Sequence, residues 1–187
     1  PSHNDKIKTL LSQHDVLTGS DYGFSREQII RMTCVDGGAL NLKAVSAHFP
    51  EMKQLGFSIH QVVVIVSRHG GSHTLKSIKD NFAQLTNLKF TLEDICKLTK
   101  YNSASVVISA VLQHFETLTG PEYGYDINTI IKIAGRIGGR LNIDALIAHK
   151  ERLTQLGFDN PMIIKLVCHD GGSNNIDAII NYCQALK

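Results

Sequence analysis

The chain lacks tryptophan, lacks a marked excess of either charge, and lacks cysteines spaced like a disulfide or metal framework. Its four cysteines stand apart at Cys34, Cys96, Cys168 and Cys183. That pattern fits a reducing intracellular compartment, with each thiol serving as a small core residue. Nineteen basic against 17 acidic residues leave a formal net charge of +2, which neither requires nor excludes a polyanionic partner. No charged-then-apolar N-terminal segment suggests a signal peptide, and no apolar run approaches the roughly 20 residues of a membrane-spanning helix. Motifs for zinc proteases, phosphate-binding loops and nucleophile elbows are missing too. We therefore expect no catalytic residue, no metal, no cofactor, no small-molecule substrate and no membrane association. What is there is 187 residues, 43% of them hydrophobic, enough for a sizeable core in one domain or two small ones.

Self-similarity is the dominant feature. "GFSREQIIRMTCVDGG" from Gly23, "GFSIHQVVVIVSRHGG" from Gly56, "GYDINTIIKIAGRIGG" from Gly124 and "GFDNPMIIKLVCHDGG" from Gly157 share one plan. Gly23 to Gly56, Gly56 to Lys89 and Gly124 to Gly157 each span 33 residues; Lys89 to Gly124 spans 35, the extra two falling in "TGPEYG". Counted from an aromatic residue, the units are 24–56, 57–89, 90–124, 125–157 and 158–187, preceded by half a unit at 1–23. Unit positions six, seven and nine are apolar throughout, as in Ile29, Ile30 and Met32, and so are positions 19, 22 and 29, as in Leu42, Val45 and Met52. That is helical spacing rather than strand alternation. Ser25, Ser58, Thr91, Asp126 and Asp159 are expected N-caps. The half-unit continues the long-helix series with Ile7, Leu10 and Leu17. Each unit thus reads as a short helix followed by a longer one. A single hairpin cannot bury its apolar face but stacked neighbours can, so the expected fold is an all-α solenoid. The chain begins with Pro1, and neither end carries a polar capping unit, so we expect a segment of a longer array.

The paired glycines Gly37-Gly38, Gly70-Gly71, Gly138-Gly139 and Gly171-Gly172 admit two readings. One is a tight turn in which Gly supplies a left-handed helix end. The other is a phosphate-binding turn, because a Gly-rich turn opening a helix presents backbone N–H groups and permits close approach; Arg140 after Gly139 adds charge. The two residues before each pair vary: Val35-Asp36, Arg68-His69, Tyr101-Asn102, Arg136-Ile137 and His169-Asp170. A fixed scaffold with a variable tip is what a modular reader of a linear partner needs.

On these residues the units resemble the repeats of the transcription activator-like effector family, especially its divergent 33-residue relatives. The likeness covers residues 24–187. It rests on "QVVVIVS" and "TIIKIAG", the paired glycines and the variable pair before them. The resemblance implies a monomeric, right-handed superhelical solenoid that follows the major groove of double-stranded DNA, one repeat per base. It also implies bacterial cytoplasm or, for a secreted effector, a host nucleus. It assigns base contacts to Asp36, His69, Asn102, Ile137 and Asp170, and loop bracing to Val35, Arg68, Tyr101, Arg136 and His169. Gly37, Gly38, Gly70, Gly71, Gly138, Gly139, Arg140, Gly171 and Gly172 would approach phosphates. The chemistry agrees: a carboxylate accepts from the cytosine amine, His or Asn donates to a purine N7, and Ile offers only apolar contact. The implied site is 5′-CG(G/A)AC-3′, with Ile taken as an adenine reader on the family's pattern. Three features depart from that pattern. Bracing residues there are Asn or His, which only His169 matches. The third unit has Ser103-Ala104 in place of Gly-Gly, and the family's N-terminal anchoring region is not visible.

Other residues have simpler explanations. Position eight is basic in Arg31, Lys97, Lys132 and Lys165, which is either a phosphate stripe or an ordinary exposed face. His48, His114 and His149 share position 25 by repeat inheritance, and His69 with His73 has no third ligand nearby. Two rival functions stand: a protein- or peptide-binding solenoid, and a non-specific phosphate binder suggested by "GRIGGR".

Overall fold

A computed structural model describes residues 3–35, 37–68, 70–101, 104–169 and 171–185. Among the described residues the chain is all helix, with eleven α-helices and no strand. They are α1 (His3–Thr18), α2 (Arg26–Thr33), α3 (Gly38–Gln54), α4 (Ile59–Val66), α5 (Gly71–Asn87), α6 (Leu92–Leu98), α7 (Ala104–Thr119), α8 (Ile127–Ala134), α9 (Gly139–Gln155), α10 (Asn160–Cys168) and α11 (Gly172–Ala185). Short and long helices therefore alternate from α2 onward. Two compact bodies can be distinguished: residues 1–96 with 103–105, and residues 97–102 with 106–187. In the first body α3 packs on α1 and α5; in the second α9 packs on α11. No described helix is long and apolar enough to cross a membrane.

Local chemistry explains where the short helices start. Ser25 and Ser58 each close a capping box, with Gln28 and Gln61 returning to the cap backbone. Thr91 and Asp94 make the same reciprocal pair. Asp126 accepts from the Thr129 N–H at 2.7 Å and Asp159 from the Met162 N–H at 2.8 Å. Each cap satisfies backbone donors that the first helical turn leaves without partners.

The periodic apolar positions form the core. Ile29, Val62, Ile95, Ile130 and Ile163 at position six are buried, as are Leu42, Leu75, Ile108, Ile143 and Ile176 at position 19. Among the described residues, several members of the series are only partly buried, and Ile7 and Ile30 are exposed. Ile7 lies on α1, which packs against α2 and α3, and is exposed there. Ile30 is exposed although Val63 and Ile131 at the same unit position are buried.

The long helices end in a repeated manner. The aromatic residue that opens the next unit folds its N–H back to a last-turn carbonyl: Phe24 to Leu17, Phe57 to Met52, Phe90 to Leu85, Tyr125 to Leu118 and Phe158 to Leu153, at 2.9–3.1 Å. The residue before it is left-handed each time, as this helix ending requires. Glycine fills that place in four links, whereas Lys89 holds φ 71° in the fifth. The two longer links, "TGSDYG" and "TGPEYG", each add a tyrosine laid on the next long helix. Tyr22 donates its hydroxyl to the Ser46 carbonyl at 2.7 Å and stacks on Phe49. Tyr123 lies under the Lys150 ammonium at 3.9 Å, and that ammonium also donates to the Glu122 carbonyl. Burial pushes the Lys150 pKa down and the Tyr125 phenol up to about 12.

Candidate nucleic-acid interface

The opposite end of each hairpin is the Gly-Gly tip. The first glycine is left-handed, with φ 80° at Gly37, 72° at Gly70, 78° at Gly138 and 99° at Gly171. The second donates its N–H to the carbonyl of the first variable residue. Gly38 bonds Val35 at 3.0 Å, Gly71 bonds Arg68 at 3.1 Å, Gly139 bonds Arg136 at 3.0 Å and Gly172 bonds His169 at 2.9 Å. The turn is therefore braced by a backbone carbonyl, which every residue type possesses. This explains how Val35, Arg68, Arg136 and His169 can occupy one place in the turn, although only His169 matches the family's bracing side chain.

The second glycine has its own steric reason. A Cβ at Gly38 would lie 2.1 Å from the Thr33 carbonyl oxygen, and one at Gly71 would lie 2.3 Å from that of Val66. A Cβ at Gly172 would lie 2.1 Å from Asn142 Oδ1. In the first two units the long helix starts so close to the end of the short one that no side chain fits between them, whereas at Gly172 the near atom belongs to the preceding unit. The expected outward display of amides is reduced accordingly. At the fifth tip the N–H groups of Gly172, Ser173 and Asn174 all donate within the protein. What a tip offers a phosphate is close backbone approach at the first glycine; Gly37 and Gly70 have open space where a Cβ would stand.

Of the five expected base-contacting residues, Asp36, His69, Asn102 and Asp170 lie outside the described residues. So does Ser103, while Ala104 opens α7 and is buried. Ile137 is described and is 81% exposed, an unusual setting for a large apolar side chain. Within the second body it lines a cleft of about 580 Å³ with Tyr101, Arg136, Leu141, Asn142 and His169. The position-12 side chains of three successive units thus border one cleft. The ring of Tyr101 also carries the Lys100 ammonium at 4.7 Å. Arg140 is turned along its helix, where its Nε meets Asp144 at 3.1 Å. Arg31, Lys97, Lys132 and Lys165 are all exposed on the short helices.

The histidines at position 25 reach the next unit's long helix. His114 lies 3.8 Å from Asp144, His149 lies 3.5 Å from Asp177, and His48 lies 3.5 Å from Lys79, which also pairs with Glu51. Burial raises the Cys96 pKa to about 11 and that of Cys168 in the same direction, so both thiols stay protonated at neutral pH. Among the described residues no three His, Cys, Asp or Glu side chains gather as metal ligands would.

Two residues outside the expected site are buried polar groups: Asn41 and Asn142, both at unit position 18 and both 1% exposed. The available signal was a polar residue beside the invariably apolar position 19. Asn41 Nδ2 donates to the Val66 carbonyl at 2.6 Å, and its Oδ1 accepts from the Ser72 N–H at 2.8 Å. Asn142 accepts from the Ser173 N–H at 3.0 Å. No protein-family model and no curated protein matches the chain.

Proposed function

We propose that the chain is a sequence-reading module for double-stranded DNA, with no catalytic role. In this reading the units continue as a right-handed superhelical solenoid that follows the major groove as a monomer. One repeat meets one base, through Asp36, His69, Asn102, Ile137 and Asp170 in turn. The observation that carries the proposal is the tip. Three tips repeat one backbone turn, with the first glycine at φ 72–80° and a closing bond of 3.0–3.1 Å, and the fifth closes through the same bond with φ 99° and 39° at its two glycines, while the residue at unit position 13 changes along the chain. A turn with a constant backbone and a changing side chain presents different chemistry in a constant frame. The non-specific phosphate reading is weakened by the internal bonding of the helix-start amides. A peptide-binding reading draws on the exposed Tyr101, Ile137 and Leu141 around one cleft; it predicts that duplex DNA does not compete with the bound peptide.

Each base contact supplies about 1–3 kcal/mol of discrimination, on top of salt-sensitive backbone binding with a dissociation constant of about 10⁻⁴–10⁻⁶ M. The test is Asp170→Asn, measured by competition among four duplexes that differ only at the base facing the fifth unit. A carboxylate only accepts, whereas an amide can also donate to a purine N7. The expected result is a shift from cytosine toward purine at that base alone. An unchanged ranking of the four duplexes refutes direct reading by this residue.

A further inference from the structure

The buried amides at position 18 join adjacent units. Asn41 belongs to the first unit, yet its side chain bonds to the second at both ends: to the carbonyl that ends α4 and to the Ser72 N–H that begins α5. Asn142 belongs to the fourth unit and accepts from Ser173 at the start of α11 in the fifth. Its Nδ2 lies 3.2 Å from the Ile133 carbonyl and 3.4 Å from the Ile137 carbonyl in its own unit. One amide therefore holds the backbone of the fourth tip and the start of the fifth long helix together. The acceptor bond from the serine that follows the Gly-Gly pair occurs once in each compact body, whereas the donor side differs between the two.

The other units differ at this place. Thr74 turns its hydroxyl back to the Gly70 carbonyl of its own tip at 3.2 Å, and Val107 has no hydrogen-bonding group. Asn175 donates to Leu166, within its own unit, at 3.4 Å. Gly172 is tied to the same device, because any Cβ there would collide with Asn142 Oδ1.

We propose that Asn41 and Asn142 are positioning residues that set the tip of the following unit, so that the side chain presented by one unit depends on position 18 of the unit before it. A buried amide fulfils this role because its donor and acceptor must both be satisfied. For Asn41 both bonds cross to the next unit, and for Asn142 the acceptor bond does. The effect on base reading rests on the DNA-binding proposal; the clamp itself does not.

The experiment compares Asn142→Ala, Asn142→Asp and Asn41→Ala by backbone amide exchange and by base competition. Asn142→Ala is expected to speed exchange at Ser173 by about fivefold or more, the loss of one net hydrogen bond, and to leave Ser72 unchanged. Asn41→Ala does the reverse. Asn142→Asp keeps an acceptor for Ser173 and restores most of its protection, which a general loss of packing would not allow. In competition, Asn142→Ala flattens the ranking at the base facing the fifth unit and spares the base facing the second. Unchanged exchange at Ser173 in Asn142→Ala overturns the clamp. Faster exchange with an unchanged ranking overturns its part in reading. A parent chain that ranks no base overturns the DNA proposal instead, and exchange alone then decides the clamp.

Discussion

The two ends of each hairpin are built on different principles. At the links a backbone bond from the next aromatic residue closes the turn, and at the two longer links side chains reinforce it: Tyr22 on Ser46 and Phe49, Phe24 edge-on to Phe49 at 4.7 Å, and Tyr123 under Lys150. At the tips, the backbone holds the turn through a carbonyl that any residue supplies, with a glycine where no Cβ fits. The link end therefore constrains residue identity strongly. The tip constrains it at both glycines, by left-handed φ at the first and by close approach at the second. The bond that closes each of these tips comes from a backbone carbonyl, so the closure itself is open to any residue type.

Substitutions at both ends test this contrast. Phe49→Ala, which empties the buried aromatic cluster of the first link, is expected to cost about 4 kcal/mol in denaturant unfolding. Gly71→Ala drives a methyl group onto the Val66 carbonyl oxygen and should cost about 3 kcal/mol. Its neighbour Gly70→Ala has open space and suffers only left-handed strain, about 1–2 kcal/mol. Equal losses for the two glycines would remove the steric account of the pair. Lys89→Gly relieves the same strain at a link and should raise stability by about 1 kcal/mol.

Smaller effects follow at the caps and at the variable residues. Asp126→Ala removes one N-cap, worth about 1 kcal/mol near neutral pH. The bond from Thr129 holds the Asp126 pKa below the usual carboxylate range. Its contribution is therefore present above the unfolded pKa and is lost as pH falls through the lower folded value. The difference between parent and variant should shrink in acid, and a constant difference across that range would contradict the cap's charge dependence. Ile137→Ala, at an 81% exposed side chain, should change stability by about 0.5 kcal/mol or less. The same change should alter the ranking of bases facing the fourth unit. A large loss of stability would mean that the variable residue holds the tip after all.

Much of this architecture was legible in the residues themselves. The 33-residue period, the helix spacing and the caps at Ser25, Ser58, Thr91, Asp126 and Asp159 are local features. Each depends on residues three or four apart, so sequence order alone displays them. The paired glycines were visible as well, but their cause was not. Whether Gly38 and Gly71 serve a turn, a phosphate or a close approach depends on how near α3 and α5 start to the carbonyls of Thr33 and Val66. That distance comes from the packing of two helices.

The inter-unit contacts were the least legible. Asn41 meets Ser72 across 31 residues, His114 meets Asp144 across 30, and Tyr22 meets Ser46 across 24. Nothing in Asn41 as a letter distinguishes a surface amide from a buried clamp. Sequence by itself determined what each unit is: two helices, their caps and the place of their turns, because those follow from short-range hydrogen bonding and apolar period. Tertiary structure alone decided how neighbours are joined, because a buried polar group takes its role from the partner that packing brings to it.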